Sequence, residues 1–366
     1  SAHLLSLTIA SDEWRRTAGG GYISLPTPEC AKTAAFSRTR LTTLGLAVGC
    51  PSGQGRGGTA LEPQTGNLTP WRVILDASDT RSAARGGWSP DAECCTPRPG
   101  TRPLRYYDIH AHLADGRLTT RLAEVLAESR RHGVAGVLAA AARASEWDTI
   151  AALSRHEGVF GALGVHPFFP EQWDAGCAGR LRAAVRACPG IRAVGEIGLD
   201  FYDGRGSEAR QREVFEEQLR LARELGLAVI LHNRKAWPEF FETVRRLRLT
   251  PLRGVCHHFS ATIEVARQAL DCGLHLSFCG PVTYPHSRRL REAARYVPSD
   301  RLLTETDAPD LPPWGHRGEL SLPWHVAEVL GTLAELRGTP EEELAAQVEA
   351  NFREVTAAPE DRKSVV

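Results

Sequence analysis

The chain has 366 residues, with 44 basic and 44 acidic side chains that leave no formal net charge at pH 7. Its hydrophobic content of 42% is that of an ordinary globular protein, and no apolar run approaches the roughly 20 residues that span a bilayer. The charge balance argues against a broad polybasic surface for nucleic acid, though not against a local basic cleft. Because no secretory signal pattern begins the chain, we expect a cytoplasmic protein. Methionine is absent even at residue 1, as in a fragment or an incomplete reading frame.

Residues 1–103 differ from the rest in composition. About a fifth of them are Gly or Pro, and they show no sustained helical or strand periodicity. We therefore expect this extension to be disordered or not selected to fold, with a small unrecognised domain as the alternative. The folded domain is expected to cover residues 104–358, followed by a short tail at 359–366.

From Leu104 onward, strand candidates alternate with amphipathic helices. The clearest helix is predicted over 208–225 and another over 323–337, each followed by a glycine that can end it. The strands are predicted at 106–110, 134–139, 159–166, 191–196, 228–232, 254–258, 274–278 and 302–306. Eight strand–helix units in about 250 residues predict an α/β fold of the (β/α)8 barrel type. A doubly wound open sheet is the competing fold, although it usually binds ligands at one switch point.

Six side chains of the types that bind divalent metals stand at the ends of these predicted strands. They are His110, His112, Glu196, His232, His257 and Asp307. The carboxyl ends of parallel strands meet at one rim of a barrel, so we expect these side chains to converge there. Several His and carboxylate groups at one rim predict a divalent metal site. For any one histidine taken alone, a hydrogen-bonded core position is the alternative.

Spacing orients some of these side chains. His110 and His112 alternate along one strand, so both imidazoles can face the barrel axis. Glu196 follows an apolar strand, where a carboxylate is costly to bury unless it is paired or bound to metal. Its two oxygens could bridge two metals, and an ion pair with a nearby arginine is the alternative.

Two choices remain at the later strands. His257 and His258 are adjacent, so alternation lets only one of them face the axis, and we choose His257. Asp307 can be a ligand, a base for activated water, or both. Glu305 lies two residues earlier and could share its face, so spacing alone does not separate the two carboxylates.

Six motifs in this order carry a resemblance to a known family. They are Asp108-Ile-His-Ala-His112, Gly161-Ala-Leu-Gly-Val-His-Pro167, Gly195-Glu-Ile-Gly-Leu-Asp200, Leu231-His-Asn-Arg234, His257-His-Phe-Ser260 and Glu305-Thr-Asp-Ala-Pro309. With them, the chain from about Tyr106 to Phe352 resembles the TatD family of metal-dependent deoxyribonucleases, within the amidohydrolase-like barrels. The resemblance covers the last two-thirds of the chain and none of the first hundred residues.

The resemblance implies two divalent metal ions, which could be Mg, Mn or Zn. It implies one metal on His110, His112, Glu196 and Asp307, and a second on Glu196, His232 and His257. It favours Asp307 over Glu305 as the ligand. It also suggests that His166 and Arg234 face the scissile phosphate. For Arg234, whose guanidinium matches phosphate oxygens, a salt bridge to Asp200 is the alternative.

Polar side chains after the seventh predicted strand could line a nucleic-acid groove. They are Tyr284, His286, Arg288, Arg289 and Arg291. We expect Tyr284 to contact substrate, whereas a solvated helix face is the better interpretation for Arg289 and Arg291.

The resemblance thus implies a phosphodiesterase that hydrolyses DNA or another phosphodiester, as a 3'-5' exonuclease does. Glu196 would hold both metals, Asp307 would accept a proton from water, and His166 would stabilise the charged transition state. One alternative is a related barrel hydrolase that cuts C–N or carboxyl-ester bonds. Such enzymes often bridge their metals with a carboxylated lysine, and Lys235 is the only lysine in the barrel. Another alternative is a metal-binding protein without catalysis. No membrane or protein partner is inferred.

Overall fold

The computed structural model describes residues 103–202 and 207–359, together with two short strands near the start of the chain. These strands, Arg15–Arg16 and Tyr22–Ile23, pair antiparallel. The chain divides into two compact units, Ser1–Thr96 and Pro97–Val366. The prediction of disorder for residues 1–103 falls, apart from the two strands and Pro103, outside the described residues. The same holds for the predicted tail beyond residue 359.

Eight parallel strands form the sheet of the second unit, and each pairs with the next along the chain. They are β1 Tyr106–Ala111, β2 Val134–Ala140, β3 Val159–Leu163, β4 Ile191–Asp200, β5 Ala228–Arg234, β6 Gly254–Cys256, β7 His275–Phe278 and β8 Leu302–Thr304. Nearly all their residues are buried, as expected for strands covered by helices outside and side chains inside. The predicted α/β barrel is confirmed.

The sheet closes between its last and first strands through the segments that follow them. The Asp307 N–H donates to the His110 carbonyl at 3.0 Å, and the His112 N–H donates to the Ala308 carbonyl at 2.7 Å. The chain after β8 therefore runs beside the end of β1. This closure brings the carboxylate of Asp307 next to the two histidines of β1.

Ten helices connect and cover the strands in the described part of the chain. They are α1 Gly116–Thr119, α2 Leu122–Arg131, α3 Trp147–Leu153, α4 Cys177–Ala187, α5 Glu208–Leu225, α6 Trp237–Arg246, α7 Ile263–Asp271, α8 Arg288–Tyr296, α9 Val326–Arg337 and α10 Glu341–Thr356. Among the described residues, none of the helices combines the length and apolarity that crossing a bilayer requires.

The two predicted helices are present, with one difference. Helix α5 has the predicted bounds: the Ser207 hydroxyl accepts the Arg210 N–H at its start, and Gly226 ends it with a left-handed φ of 63°. Helix α9 ends before Gly338, with a φ of 62°, but its predicted first turn is a separate 3-10 turn at Pro323–His325.

The third strand ends earlier than predicted. It stops at Leu163 rather than at residue 166. The next residues leave the sheet because side chains of other elements satisfy their backbone: Gln218 accepts the Val165 N–H at 2.8 Å and donates to its carbonyl at 3.1 Å. The His166 N–H then donates to the Ala142 carbonyl at 2.9 Å, which places this histidine at the rim.

Candidate metal centre

The predicted metal-binding side chains converge at the carboxyl ends of the strands. A cavity of about 250 Å³ opens there, and five of the six predicted side chains line it: His112, Glu196, His232, His257 and Asp307. The sixth, His110, is fully buried beneath them, with its Nε2 3.2 Å from the Nε2 of His112. One rim of the barrel therefore gathers all six.

The first group of atoms has the spacing of a metal-ligand cage. The Nε2 atoms of His110 and His112 lie 3.3–3.5 Å from Glu196 Oε2 and 3.4 Å from Asp307 Oδ1. A tetrahedral site with bonds of about 2.05 Å has ligand-to-ligand edges of about 3.3 Å. Five of the six distances among these four atoms, from 3.2 to 3.5 Å, therefore suit one small divalent cation.

The hydrogen bonding of this group also suits a cation. Glu196 Oε2 is buried and accepts no hydrogen bond from the described residues, although two imidazole nitrogens lie within 3.5 Å. His112 Nδ1 lies 3.3 Å from the Ala140 carbonyl, which can only accept, so the ring proton belongs there. The lone pair of His112 Nε2 is thereby directed at the shared point. A buried carboxylate oxygen and imidazole lone pairs that converge are a donor set for divalent metal.

A second group surrounds the other oxygen of Glu196. Its Oε1 lies 2.7 Å from His257 Nε2 and 3.0 Å from His232 Nδ1, and those two nitrogens are 3.3 Å apart. The two oxygens of one carboxylate thus face two different sets of histidines. A carboxylate that bridges two cations needs this arrangement.

Asp200 orients His232 within the second group. Its Oδ2 lies 2.9 Å from His232 Nε2 and accepts the hydrogen bond of that nitrogen, so Nδ1 is the ring atom that faces Glu196. A carboxylate that fixes a metal-binding histidine in this way is common in metal sites. The sequence suggested Asp200 only as a partner for Arg234. The available signal was the pairing of β4 with β5, in which Asp200 and His232 reach the same rim.

The charges of the centre follow from these contacts. Burial alone would raise the pKa of Glu196, but the imidazoles of His257, His166 and His110 hold that pKa well below its usual range. Burial tends to lower the pKa of His232, yet the carboxylates of Asp200 and Glu196 raise it to about 9. The carboxylates are therefore ionised, and the negative charge is balanced by a protonated histidine or by a bound cation.

His166 lies close to Glu196, and its ring is placed to donate a hydrogen bond into the cavity. Its Nδ1 accepts the Phe168 N–H at 3.0 Å, so a neutral ring carries its proton on Nε2, 3.3 Å from Glu196 Oε1. Burial lowers the pKa of His166, which keeps the ring neutral. A proton on Nε2 leaves no lone pair for a metal and gives the cavity a hydrogen-bond donor.

Glu305 and Asp307, which spacing could not separate, have different surroundings. Glu305 is fully buried, and it accepts hydrogen bonds from the His258 N–H and the Ser277 hydroxyl, both at 2.5 Å. Burial raises the pKa of Glu305 to about 8. Asp307 instead has a left-handed φ of 54° and turns its carboxylate to the histidines of β1. Glu305 thus belongs to the wall of the barrel.

Two of the three predicted substrate contacts, Arg234 and Tyr284, lie outside the metal cluster. Arg234 is exposed, and its guanidinium lies over the Tyr202 ring, 3.6 Å from the ring centroid. No ion pair joins it to Asp200 within the described residues. The Tyr284 hydroxyl donates to the Pro312 carbonyl at 2.9 Å, so its proton is engaged, while its oxygen lone pairs and its ring are left for a ligand.

Sequence reasoning missed three residues of the cavity wall and set aside a fourth, His258, which lines the cavity together with His257 because its φ of 44° breaks the strand alternation. Arg143, Phe168, Phe169 and His258 line the cavity, and the Arg143 guanidinium lies 4.0 Å from the centroid of Phe169. They share one signal in the sequence, since each lies a few residues beyond a strand that ends at the rim.

Comparison with known proteins agrees with this geometry. Residues 107–356 match the family model described as TatD related DNase. Over 251 residues, the chain is 37% identical to YcfH of Escherichia coli K12, described as an uncharacterized metal-dependent hydrolase, covering 67% of this chain and 93% of YcfH. Over 254 residues, it is 34% identical to the 3'-5' ssDNA/RNA exonuclease TatD of Cronobacter sakazakii, covering 67% and 95%.

A solved structure agrees as well. The crystal structure of YjjV, a TatD homologue from Escherichia coli K12, superposes with a TM-score of 0.66 at 31% identity, covering 70% of this chain and 99% of YjjV. The match spans the whole barrel with its rim of histidines and carboxylates, and the chain therefore belongs to the TatD family of metal-dependent hydrolases.

Proposed function

We propose that this protein is a metal-dependent nuclease that hydrolyses phosphodiester bonds of DNA or RNA from the 3' end. The observation that carries the proposal is the pair of ligand groups on the two oxygens of Glu196, because paired cations serve phosphodiester cleavage in many nucleases. The relative from Cronobacter sakazakii, named as a 3'-5' ssDNA/RNA exonuclease, supports the choice of substrate.

The donor atoms fit two cations. The first would be held by His110, His112, Glu196 and Asp307, and the second by Glu196, His232 and His257. When bound, Mg, Mn or Zn would supply the Lewis acidity that activates water and offsets charge on the phosphoryl oxygens. Asp200 would hold the His232 ring in the tautomer that the second cation needs.

The remaining roles belong to residues of the chain itself. Asp307 is ionised at the edge of the cavity, so its carboxylate can accept a proton from the attacking water. The Nε2–H of His166 can donate to a phosphoryl oxygen, whose charge grows in the transition state. Arg234, at the exposed end of β5, would attract and orient the phosphate chain.

The rival barrel hydrolases for C–N or carboxyl-ester bonds fit less well. Their bridging carboxylated lysine has no counterpart at this centre, because Lys235 is exposed and does not line the cavity. Glu196 lies between the two histidine groups instead. A phosphodiester is therefore the substrate class that we prefer.

The test is hydrolysis by the purified full-length chain with added Mg, Mn or Zn and a chelator control. The substrates are bis(p-nitrophenyl) phosphate and a 5'-labelled single-stranded oligonucleotide. We expect cleavage only with divalent cation, and progressive shortening of the labelled strand. Turnover that persists in protein shown to be metal-free would contradict the proposal, as would hydrolysis of amides or carboxyl esters alone.

A further inference from the structure

Exposed aromatic side chains are unevenly distributed over the barrel. Among the described residues, four large hydrophobic side chains are exposed: Tyr202 by 57%, Ile263 by 36%, Tyr296 by 42% and Trp314 by 42%. Tyr202 and Trp314 follow the carboxyl ends of β4 and β8, at the rim that carries the metal centre. Tyr296 is the last residue of α8, and barrel helices run back toward the opposite end of the strands.

The two rim aromatics follow strands that are well separated around the barrel. Strands β4 and β8 are four positions apart in the eight-stranded order, which is half of the way around a barrel. On the β4 side, the Tyr202 N–H donates to Asp200 Oδ1 at 2.9 Å, and Asp200 in turn holds His232. The backbone of Tyr202 is thereby linked through Asp200 to the second ligand group.

Trp314 is fixed on the β8 side. Its backbone N–H donates to Thr283 Oγ1 at 2.7 Å, and its ring meets the Tyr284 ring edge-on with centroids 5.6 Å apart. The ring of His286 lies 6.4 Å from it. His286 and His258 both line a second cavity of about 460 Å³, and His258 also lines the cavity of the metal centre. His258 thus borders both cavities, and Trp314 lies beside His286 of the second one.

Each rim aromatic carries an arginine over its ring. The Arg234 guanidinium lies 3.6 Å from the Tyr202 centroid, and the Arg317 guanidinium lies 4.5 Å from the Trp314 centroid. Both arginines are exposed, and neither forms an ion pair with a described carboxylate. Nucleobases stack on aromatic rings and on guanidinium planes, while the arginine charge attracts phosphate.

We propose that Tyr202 and Trp314 are stacking platforms for the bases of a single-stranded polynucleotide whose scissile phosphate lies between them. The inference rests on the proposed nuclease function and adds the residues that select its substrate. A duplex keeps its bases paired and cannot offer their faces to both rings. A small phosphodiester has no second base to span the rim.

The first test is binding of the full-length protein in chelator, so that nothing is hydrolysed. Fluorescence anisotropy measures its affinity for oligothymidine of about 12 nucleotides, a length within known single-strand site sizes. Tyr202→Ala and Trp314→Ala should each weaken binding about tenfold, since stacking contributes about 1–3 kcal/mol per base. Tyr202→Phe and Trp314→Phe should keep most of the affinity, because the ring remains. Tyr296→Ala, equally exposed but at the other end of the barrel, is the matched control and should bind normally.

Two further arms sharpen the result. Oligouridine of the same length tests whether RNA uses the same platforms. The affinity of the protein for a blunt duplex should change little in either alanine variant. Kinetics with Mn compare two substrates. Each alanine change should raise KM for the oligonucleotide, and this fold-increase should exceed the fold-increase in KM for bis(p-nitrophenyl) phosphate by at least about tenfold.

Equal binding of oligothymidine by wild type and both alanine variants would overturn the inference, as would an equal loss in Tyr296→Ala. The proposed function fails separately, if the wild type hydrolyses no phosphodiester with any of the three metals. The anisotropy measurement tests the stacking platforms whether or not the wild type hydrolyses a phosphodiester.

Discussion

Two clusters of histidines and carboxylates on this barrel contain similar residues but differ in what they can bind. The metal centre is buried, and its imidazole nitrogens face two carboxylates at a common point. The outer cluster, defined as His316, Glu319, His325 and Glu328, is half exposed. There, His316 Nδ1 lies 3.0 Å from Glu319 and Nε2 lies 2.8 Å from Glu328.

The difference lies in how many imidazoles surround one carboxylate. Both ring nitrogens of His316 face carboxylates as donors, and these contacts raise its pKa, so the ring keeps both protons. In the metal centre, His232 also has a carboxylate at each ring nitrogen, but three imidazoles surround Glu196 Oε1 and two more lie within 3.5 Å of its Oε2. Composition alone does not distinguish the clusters, whereas the number of imidazoles gathered on one buried carboxylate does.

The largest expected effect comes from the carboxylate between the two ligand groups. Glu196→Gln keeps the size of the side chain but removes the charge that faces both groups. We expect turnover of bis(p-nitrophenyl) phosphate to fall at least about 100-fold, the scale of losing a key electrostatic group. Metal content measured on the purified variant should fall as well.

Two matched changes test whether this loss belongs to the site. Glu328→Gln makes the same substitution in the outer cluster, and Glu305→Gln makes it in the wall of the barrel. Both should turn over far faster than Glu196→Gln at saturating metal, when folded protein is compared. If Glu305→Gln abolishes activity and Glu196→Gln keeps it, the assignment of the metal centre is wrong.

Metal should also stabilise the native state. A ligand that binds only folded protein at a hundredfold excess over its Kd adds about 2.7 kcal/mol. Adding Mn to chelator-treated protein should therefore raise the Tm of the wild type and of His316→Gln alike. Glu196→Gln should lose most of this rise, and an unaltered rise in that variant would place the bound metal elsewhere.

A smaller effect is expected from the residue that orients His232. Asp200→Asn keeps an oxygen for the His232 N–H but removes the charge, so the fixed tautomer is favoured less strongly. Such changes typically weaken metal binding about 10- to 100-fold. Activity measured against metal concentration should show the shift and approach wild-type turnover at saturation. Glu319→Gln, which removes the charge of a partner of His316, should not change the dependence of activity on metal concentration.

Much of this architecture was predictable from the sequence because it follows from local patterns. Alternating apolar strands and amphipathic helices predicted the eight-stranded barrel, and Gly226 and Gly338 marked helix ends because they can take left-handed backbone. The six ligand-type residues were also identifiable, because parallel strands end at one rim and buried polar residues there need a reason.

The rest depended on contacts between distant parts of the chain. The early end of β3 depends on the Gln218 side chain, which comes from α5 and replaces a sheet neighbour of Val165. The tautomer of His166 depends on the backbone of Phe168, and the different surroundings of Glu305 depend on Ser277. Side-chain hydrogen bonds of this kind leave no periodic signal in a sequence.

The smallest expected effect tests the outer cluster. Contacts with Glu319 and Glu328 raise the folded-state pKa of His316 above its usual 6.5. The stability gained from its charge is therefore complete below about pH 6.5 and is lost as the pH rises through the folded pKa. His316→Gln should lower the free energy of unfolding by less than about 1 kcal/mol at pH about 6, and by less still at about pH 9. Urea unfolding at both pH values measures this difference. An equal loss of unfolding free energy at both pH values would mean that His316 stabilises the fold by stacking on His325 and not through its charge. The centroids of these two rings lie 4.1 Å apart.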